Sequence, residues 1–407
     1  MQGMKGFEKR MELTYSERVK NIDPRPLKDM FAYGVDPEII SFACGNPDSS
    51  MFPHHELASI AADVLDKKPV QSLQYGKTNG YGPFIETLRA RLRDVQKITC
   101  AADELLVTTG AQQAMEMISK ILVNDGDVVL VEEPSFIGSL NAFRSYGAKL
   151  VGIPLEDDGM NVDYLENYLK HNREKISFIY TIPTSSNPMG TTMSEEKRRA
   201  FYDVIKRYRV PVLEDDAYGE LCFDGVHPTT LKNMDTEHLV IYIGTFSKIL
   251  APGLRIGYVC ADADFIDTLS MAKQTADLQT ALLPQLLCDG YLKTFDIKAH
   301  IRRLQACNKE KCDMMLDCIE RYFPKDIYYT RPRGGLFVWC DLKRDIDTNE
   351  IIKDCLKEKV AFVPGYAFMT DLSVPRSTMR LNFTAVSKEL MPVGMERLGK
   401  VIEARSK

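Results

Sequence analysis

Short runs of apolar residues alternate with longer amphipathic stretches through the central part of the chain. Short β-branched runs bounded by turn residues are typical of parallel strands buried on both faces. Between them, 111–122 and 194–208 have apolar residues at helical spacing, and Ser194 is placed to cap the second helix. This alternation predicts an α/β fold, in which a mostly parallel central sheet is flanked by helices and binds ligands at the carboxyl ends of its strands. The predicted strands lie within 104–110, 127–134, 176–183, 210–216 and 240–246.

The pattern changes after about residue 290. A long helical stretch at 295–323 is followed by short strands near 334–342, 360–365 and 378–386. A chain of 407 residues suits one large and one smaller domain. We therefore predict a large ligand-binding domain at 49–294 and a small α+β domain at 295–407, to which an N-terminal segment, 1–48, contributes.

Composition narrows the classes of function. Fifty-two basic against 57 acidic residues give a net charge of −5, which argues against broad nucleic-acid binding. The N-terminus has no apolar signal region and no run is long enough to span a membrane, so we expect a cytoplasmic protein with no membrane partner. The ten cysteines contain no CxxC pair and suit reduced, buried or half-buried thiols. Cys307, Cys312 and Cys318 have no zinc-site spacing, so we expect no metal.

The segment TFSKILAPGLRIGY (245–258) carries the strongest local signal. It places Lys248 directly after a buried strand, close to Thr245, Ser247 and Arg255. Burial and a nearby cation both lower the pKa of a lysine, which leaves a neutral amine able to condense with a carbonyl group. The arginine and the two hydroxyls suit a phosphate. The alternative is a loop lysine beside a structural arginine.

Two other strand ends could contact a phosphate and a planar ring. At 105–115 a strand passes through Gly110 straight into a helix, where the N–H groups of Gly110, Ala111 and Gln112 form an anion site. A plain strand–helix connection is the alternative. Phe136 follows another strand and could stack on a planar ring, although a core phenylalanine has the same pattern.

Two adjacent carboxylates follow a further strand, in EDDAYGEL (214–221). Such a pair is costly unless it meets a cation, and a protonated ring nitrogen is one candidate. An aspartate held against that nitrogen keeps the ring charged and makes it an electron sink. Tyr218 and Asn187 could both reach a phenolic oxygen on the same ring. The alternative is a solvated acidic loop. Together the five segments supply an imine former, a phosphate cradle, a counter-ion, a phenolate donor and a stacking plane.

At this point the chain resembles the fold type I, class I/II aminotransferases. Within them it is most similar to the branch of aromatic, 2-aminoadipate and kynurenine aminotransferases. The resemblance covers nearly the whole chain and includes, beside the five segments, FACGNPD (42–48), LQYGKTNGYGPFIETL (73–88), RPRGGLFVWCDL (331–342), AFVPGYAF (361–368) and MRLNF (379–383).

The resemblance implies pyridoxal 5′-phosphate (PLP) as the cofactor of the large domain. Lys248 would hold it as a Schiff base and then move the substrate proton. Asp215 would bind the ring nitrogen, Asn187 and Tyr218 the phenolic oxygen, and Phe136 would stack on the ring. The phosphate would be held by Gly110, Ala111, Gln112, Thr245, Ser247 and Arg255.

The resemblance also implies how substrate and subunits are arranged. Arg380 would bind the substrate α-carboxylate in a pocket shared with Gly45 and Asn187, although alone it could be a strand arginine in a surface salt bridge. Tyr75 would reach the phosphate of the neighbouring subunit in a homodimer. Cis bonds are implied before Pro134 and Pro188. The family's usual stacking tyrosine is a phenylalanine here, which puts substrate preference in question.

We therefore expect ping-pong transamination of an L-amino acid with a 2-oxo acid, 2-oxoglutarate being the expected acceptor. The donor could be aromatic, 2-aminoadipate-like or of broad range; Arg18 and Arg25 could meet a distal carboxylate, or be plain exposed arginines. The alternatives are another PLP reaction on the same scaffold, β-lyase or decarboxylase, and a non-catalytic amino-acid or PLP sensor. The acidic charge balance favours an enzyme over a regulator fused to a DNA-binding domain.

Overall fold

The computed structural model describes residues 14–22, 36–172, 175–344 and 346–405. Its strands are β1 (Ile40–Ser41), β2 (Leu105–Thr108), β3 (Val128–Glu133), β4 (Lys149–Glu156), β5 (Gly159–Met160), β6 (Ile176–Thr181), β7 (Val212–Asp216), β8 (Val240–Thr245), β9 (Gly257–Cys260), β10 (Tyr328–Tyr329), β11 (Phe337–Asp341), β12 (Val360–Ala361), β13 (Val363–Pro364) and β14 (Thr378–Asn382).

Helices lie between these strands. Within the described residues they are α1 (Glu17–Lys20), α2 (His54–Lys67), α3 (Pro69–Leu73), α4 (Gly82–Arg91), α5 (Ala111–Leu122), α6 (Ile137–Ser145), α7 (Val162–His171), α8 (Glu195–Tyr208), α9 (Leu231–Met234), α10 (Ala263–Ala276), α11 (Leu282–Thr294), α12 (Ile297–Tyr322), α13 (Thr348–Lys357) and α14 (Leu390–Arg405).

An eight-stranded mixed sheet lies at the centre, in the order β2-β9-β8-β7-β6-β3-β4-β5. β4, β3, β6, β7 and β8 pair in parallel, as the apolar runs predict. β2 pairs only with β9, and that pairing is antiparallel, as is the pairing of β9 with β8. Two antiparallel steps restore the direction, so the carboxyl ends of β2, β3, β6, β7 and β8 all lie at one edge of the sheet. The apolar pattern did not single out β9.

The predicted helices next to this sheet are confirmed. In α5 the side chains of Ala114, Met117 and Ile118 are buried against the sheet, as their spacing predicts. α8 begins where Ser194 accepts a hydrogen bond from the Lys197 N–H at 3.2 Å, so the cap satisfies a donor that the helix leaves open. The amphipathic pattern therefore placed both helices correctly.

The later part of the chain forms a second, antiparallel sheet with the order β10-β11-β14-β13. It packs with α12 and α14 in a hydrophobic core of its own. β1 pairs in parallel with β12, Ile40 facing Val360, which joins the N-terminal part of the chain to the C-terminal part. The division of the chain at residues 48 and 294 stays a prediction, and residues 1–13 and 23–35 lie outside the described part.

The thiols agree with the sequence analysis. None of the ten cysteines, all of which lie in the described part of the chain, forms a disulfide, and each is buried or half-buried. Among the helices that the structure describes, none combines the length and the apolar character needed to cross a membrane. Both peptide bonds before Pro134 and Pro188 are cis, as the resemblance implies.

A buried ion pair ties α12 to the segment 42–48. Lys311 Nζ lies 2.7 Å from Asp48 Oδ2 and also donates to the carbonyl oxygen of Thr384 at 2.7 Å. The Lys311 side chain is 4% exposed and that of Asp48 13%. Since a carboxylate so poorly hydrated needs its counter-ion, this pair fixes where the segment 42–48 runs.

We expect Lys311→Met to lower the free energy of unfolding by about 3 kcal/mol, because the poorly hydrated Asp48 carboxylate then loses its cationic partner. Lys309→Met is the matched control on the same helix. The Lys309–Asp313 pair is more than half exposed, so its loss should cost less than about 1 kcal/mol. Chemical denaturation followed by circular dichroism measures both variants, and equal losses would contradict the prediction.

Candidate active site

A cavity of about 300 Å³ opens at the carboxyl edge of the central sheet. Its wall comes from segments that follow β2, β3, β6, β7 and β8, together with the segment 42–48 and the second sheet. Most of the site residues expected from the sequence line it: Gly45, Ala111, Gln112, Phe136, Asn187, Asp215, Tyr218, Thr245, Ser247, Lys248, Arg255 and Arg380. Gly110 and Tyr75 do not.

The Lys248 amine lies inside this cavity. Its Nζ donates a hydrogen bond to the carbonyl oxygen of Gly45 at 2.7 Å. Burial, followed by the cations Arg380 and Arg255, lowers the pKa of Lys248 to about 8, against the attraction of Asp215. A substantial fraction of the amine is therefore neutral near pH 8, as nucleophilic attack on a carbonyl requires.

Asp215, the residue before the last of β7, lines the cavity and is almost fully buried. The Tyr180 hydroxyl donates to its Oδ2 at 2.9 Å, whereas Oδ1 is buried and accepts no hydrogen bond from the described residues. Burial, together with the neighbouring charge of Asp216, raises the pKa of Asp215 to about 7, against the opposing effects of Tyr180 and Lys248. An unsatisfied buried carboxylate oxygen is costly, so the site is built for a donor that the chain does not supply. A protonated ring nitrogen is such a donor.

Arg380 points into the cavity from β14 instead of forming a surface salt bridge. It is 2% exposed. Its Nη1 donates to Asn187 Oδ1 at 2.9 Å and its Nη2 to the carbonyl oxygen of Ala43 at 2.5 Å. The faces of Phe337 and Phe368 lie 4.3 and 4.9 Å from its guanidinium carbon. The rings and hydrogen bonds hold the guanidinium in one orientation, as bidentate binding of a carboxylate requires.

Asn187 and Tyr218 lie side by side in the wall. Asn187 Nδ2 approaches the Tyr218 hydroxyl at 3.5 Å, while its Oδ1 accepts from Arg380. Burial raises the pKa of Tyr218 well above its ordinary value, and Asp215 adds to the effect. Tyr218 therefore stays a neutral donor and can hydrogen-bond an oxygen anion.

The side of the cavity at which we expect the phosphate combines hydroxyls, a helix start and an arginine. The Thr245 hydroxyl donates to Ser247 Oγ at 3.0 Å, and the Ser247 N–H donates to Thr245 Oγ1 at 3.2 Å. Arg255, in the left-handed region at φ 52°, donates through Nη2 to the Thr109 carbonyl oxygen at 3.3 Å. Ala111 and Gln112 begin α5, whose first N–H groups favour an anion.

Gly110 has a different part from the one expected. Its N–H donates to the carbonyl oxygen of Thr108 at 2.8 Å, so it is not an open donor, and that expectation is wrong. A side-chain carbon at Gly110 would lie 2.3 Å from Arg255 Nη2, and the residue has φ 75°. Gly110 is thus the residue that lets Arg255 reach the phosphate side of the cavity.

The remaining predicted residues differ in whether they line the cavity. Phe136 precedes α6 and lines the cavity, with its ring packed over Gly138. Tyr75 is 77% exposed at the surface. Arg18 lies over the ring of Tyr146, 5.5 Å from its centre, and does not line the cavity. Arg25 lies outside the described residues.

Sequence reasoning missed Tyr180 and Phe337. Tyr180 binds Asp215 from β6, and in the sequence nothing sets its hydroxyl apart from those of Ser177 and Thr181 on the same buried strand. Phe337 lines the cavity and contacts Arg380, but in sequence it is one more apolar residue of a strand. Both contacts join residues distant in sequence, which no local pattern reports.

Comparison with known proteins gives a consistent result. The family model for aminotransferase class I and II matches residues 37–398. The chain is 37% identical to aromatic-amino-acid aminotransferase 1 of Thermococcus litoralis, over 97% of this chain and 95% of that protein. It is 35% identical to 2-aminoadipate transaminase of Thermus thermophilus, over 94% of each. A crystal structure of Pyrococcus horikoshii kynurenine aminotransferase with PMP superimposes with a TM-score of 0.92 at 35% identity, covering 97% of this chain and 98% of that one.

We expect Arg380→Met to raise the pKa of Lys248 above 8, because the substitution removes the cation that has the larger effect on this pKa. The pH dependence of labelling by an amine-reactive reagent, read at the Lys248 peptide by mass spectrometry in cofactor-free protein, measures it. The pH of half-maximal labelling should move upward. Arg255→Met is the comparison, with a smaller shift in the same direction; the reverse order would contradict the electrostatic account.

Proposed function

The chain belongs to the aminotransferase class I and II family and is a PLP-dependent aminotransferase, and we propose that the cavity around Lys248 is where it transfers an amino group from an L-amino acid to 2-oxoglutarate in two half-reactions. The observation that supports this most directly is that one cavity contains both a reactive amine and an unsatisfied hydrogen-bond acceptor. Lys248 offers an amine with a pKa of about 8, and Asp215 Oδ1 is a buried acceptor to which no described residue donates. PLP has an aldehyde for the first and a ring nitrogen for the second.

The residues of the wall fit the remaining groups of the cofactor. When bound, PLP supplies an electron-withdrawing ring that stabilises negative charge at the substrate α-carbon. Asp215 would hold the ring nitrogen, Asn187 and Tyr218 the phenolic oxygen, and Phe136 the ring face. The phosphate would be held by Ala111, Gln112, Thr245, Ser247 and Arg255. Gly110 would contribute by leaving space for the Arg255 side chain.

Lys248 would also move the substrate proton. Once its amine is released, its pKa near 8 makes it a base of suitable strength at neutral pH. Lys248 Nζ would take the proton from the substrate α-carbon and deliver it, within the same half-reaction, to the cofactor carbon that binds the amino group.

Arg380 would bind the substrate α-carboxylate and set the orientation of the substrate. Its guanidinium is fixed between Phe337 and Phe368 and by Asn187, so a bound carboxylate adopts one geometry. Gly45 lines the same space. A carboxylate fixed at this point restricts which bond of the α-carbon faces Lys248, which is how positioning selects proton removal.

The lining supports an aromatic or other apolar donor side chain. Met115, Ile137, Ile182 and Phe337 supply apolar surface. Of the described lining residues, the cations are Lys248, Arg255 and Arg380, and each already has a partner in the scheme above. The named relatives act on aromatic amino acids and on 2-aminoadipate. We propose aromatic donors first, with 2-aminoadipate as the alternative.

We further propose a homodimer in which Tyr75 reaches the phosphate of the neighbouring site. Val70, Leu73 and Tyr75 are 69%, 70% and 77% exposed and lie close together in sequence around α3. Such a group of large apolar side chains on the surface favours contact with another chain. The ten free thiols favour a reducing compartment, and we propose the cytoplasm.

Borohydride reduction of the protein with bound PLP should attach the cofactor to Lys248 alone. Lys273 is an internal control in the peptide map, since it too is buried but is paired with Asp277 at 2.9 Å. Lys248→Ala should lose transamination by several orders of magnitude. In the unaltered protein, an aromatic amino acid without acceptor should yield one equivalent of oxo acid per chain. A label at another lysine, or turnover by Lys248→Ala, would remove the assignment.

Tyr75→Ala should weaken PLP binding by about tenfold or more, since a hydrogen bond to a charged group contributes about 1.5–3 kcal/mol. Mixing Tyr75→Ala chains with Lys248→Ala chains should restore tight binding, because the hybrid has one site with both residues intact. Tyr164→Ala, at another exposed tyrosine, is the control. Absence of rescue in dimers verified by light scattering would place Tyr75 outside the neighbouring site.

A further inference from the structure

Behind Asp215 lies a buried cluster that the scheme above does not use. His227 Nε2 lies 2.9 Å from Asp216 Oδ2, and the Tyr242 hydroxyl donates to the same oxygen at 2.7 Å. The Gly219 N–H donates to Asp216 Oδ1 at 3.0 Å. The side chains of His227 and Asp216 are 9% and 4% exposed. This ion pair is therefore largely shielded from water. Its carboxylate, Asp216, directly follows Asp215, the residue proposed to hold the ring nitrogen.

The geometry determines the charge of His227. Its Nδ1 lies 2.7 Å from the carbonyl oxygen of Pro228, and its Nε2 faces the carboxylate of Asp216. Both partners are acceptors only, so both ring nitrogens must carry a proton, and the ring is an imidazolium. The pKa shifts agree. Although burial opposes the charge, Asp216 raises the pKa of His227 to about 9. The pKa of Asp216 is lowered despite its burial, chiefly by His227.

The cluster is packed closely against Gly219. A side-chain carbon at Gly219 would lie 2.3 Å from both His227 Nε2 and Asp216 Oδ1. The glycine therefore allows the imidazolium to close over the turn that carries Tyr218. The turn 215–219 is thus held from behind by one cation.

We propose that His227 is a positioning residue whose positive charge neutralises Asp216 and so lets the adjacent Asp215 remain ionised opposite the cofactor ring nitrogen. The inference rests on the proposed role of Asp215. Asp216 is among the groups that raise the pKa of Asp215. Without its counter-ion, the Asp216 carboxylate would disfavour the negative charge of Asp215 more strongly, and a protonated Asp215 would offer a protonated ring nitrogen no counter-charge.

Other charged groups face the cluster and enter the same balance. Glu220 favours the cation of His227. Arg198, buried on α8, lowers the pKa of Asp216, and the Cys222 thiol nearby has its pKa raised by burial, with Asp216 adding to it. Arg198 is held at fixed charge by carbonyl oxygens of Met193, Pro183 and Thr229. His227 is therefore the member of the cluster whose charge can be removed without breaking that framework.

Nitrogen-15 NMR of the histidine rings tests the charge directly, in cofactor-free and PLP-loaded protein. We expect both ring nitrogens of His227 to carry protons at pH 8. A neutral ring at pH 7 in the loaded protein would overturn the proposal. Borohydride labelling of Lys248 is unaffected by that outcome, so a failure here is distinguishable from a failure of the proposed function.

Affinity for PLP, measured by titrating cofactor-free protein, tests the consequence. His227→Gln should bind PLP on the order of tenfold more weakly, as a shift of about one pKa unit at Asp215 would cause. The double variant Asp216→Asn/His227→Gln should recover most of that affinity, because the uncompensated charge is gone. A merely structural cluster would give a double variant no tighter than the single one, and that result would overturn the proposal.

The chain offers a matched control in a second histidine–aspartate pair. His238 Nδ1 lies 3.4 Å from Asp262 Oδ2, with side chains 68% and 43% exposed. His238→Gln should leave PLP affinity unchanged. If His227→Gln does not fold, the double variant and the NMR measurement on the unaltered protein still decide: a double variant binding tenfold more weakly than the unaltered protein contradicts the charge account.

Discussion

The site depends on burying two groups of opposite charge, Lys248 and Asp215, in one small cavity without a direct ion pair between them. Lys248 and Asp215 attract each other across the cavity, yet each is held by a neutral partner, the Gly45 carbonyl and the Tyr180 hydroxyl. Burial alone would push both groups to their neutral forms. The two arginines reinforce this at the lysine, and so the amine is reactive while the aspartate keeps one oxygen unsatisfied for a ligand.

This arrangement needs strands that end at the same edge of one sheet. The parallel pairing of β3, β6, β7 and β8 delivers Phe136, Asn187, Asp215 and Lys248 from separate parts of the chain. β2 joins through the antiparallel β9, yet it runs in the same direction and brings the start of α5 to that edge. Arg380 and Phe337 arrive from the second sheet, and the segment 42–48 closes the wall. The Lys311–Asp48 pair keeps that segment on α12.

A second layer of charge lies behind the first. Asp216 alternates with Asp215 on β7, so the two carboxylates point to opposite sides of the sheet. One meets the cavity, and the other meets His227, Tyr242 and the Gly219 N–H. The two carboxylates that appear costly in the sequence therefore lie in two environments: Asp215 lines the cavity, and Asp216 pairs with His227.

Local sequence was enough to predict several of the helices and strands, though not β9, and the candidate chemistry. Strand runs and the helix cap at Ser194 follow from short-range periodicity, and Lys248, Asp215 and Arg255 stand out because polar groups at strand ends are unusual. Their roles, and that of Arg380, came from the resemblance. Tertiary structure alone decided that Tyr180 binds Asp215 and that Phe337 and Phe368 flank Arg380. It also decided that Gly110 makes room for Arg255 and that His227 pairs with Asp216. The reason is physical: period and propensity act over a few residues, whereas burial, pKa and unsatisfied acceptors are set by neighbours that only the folded chain brings together.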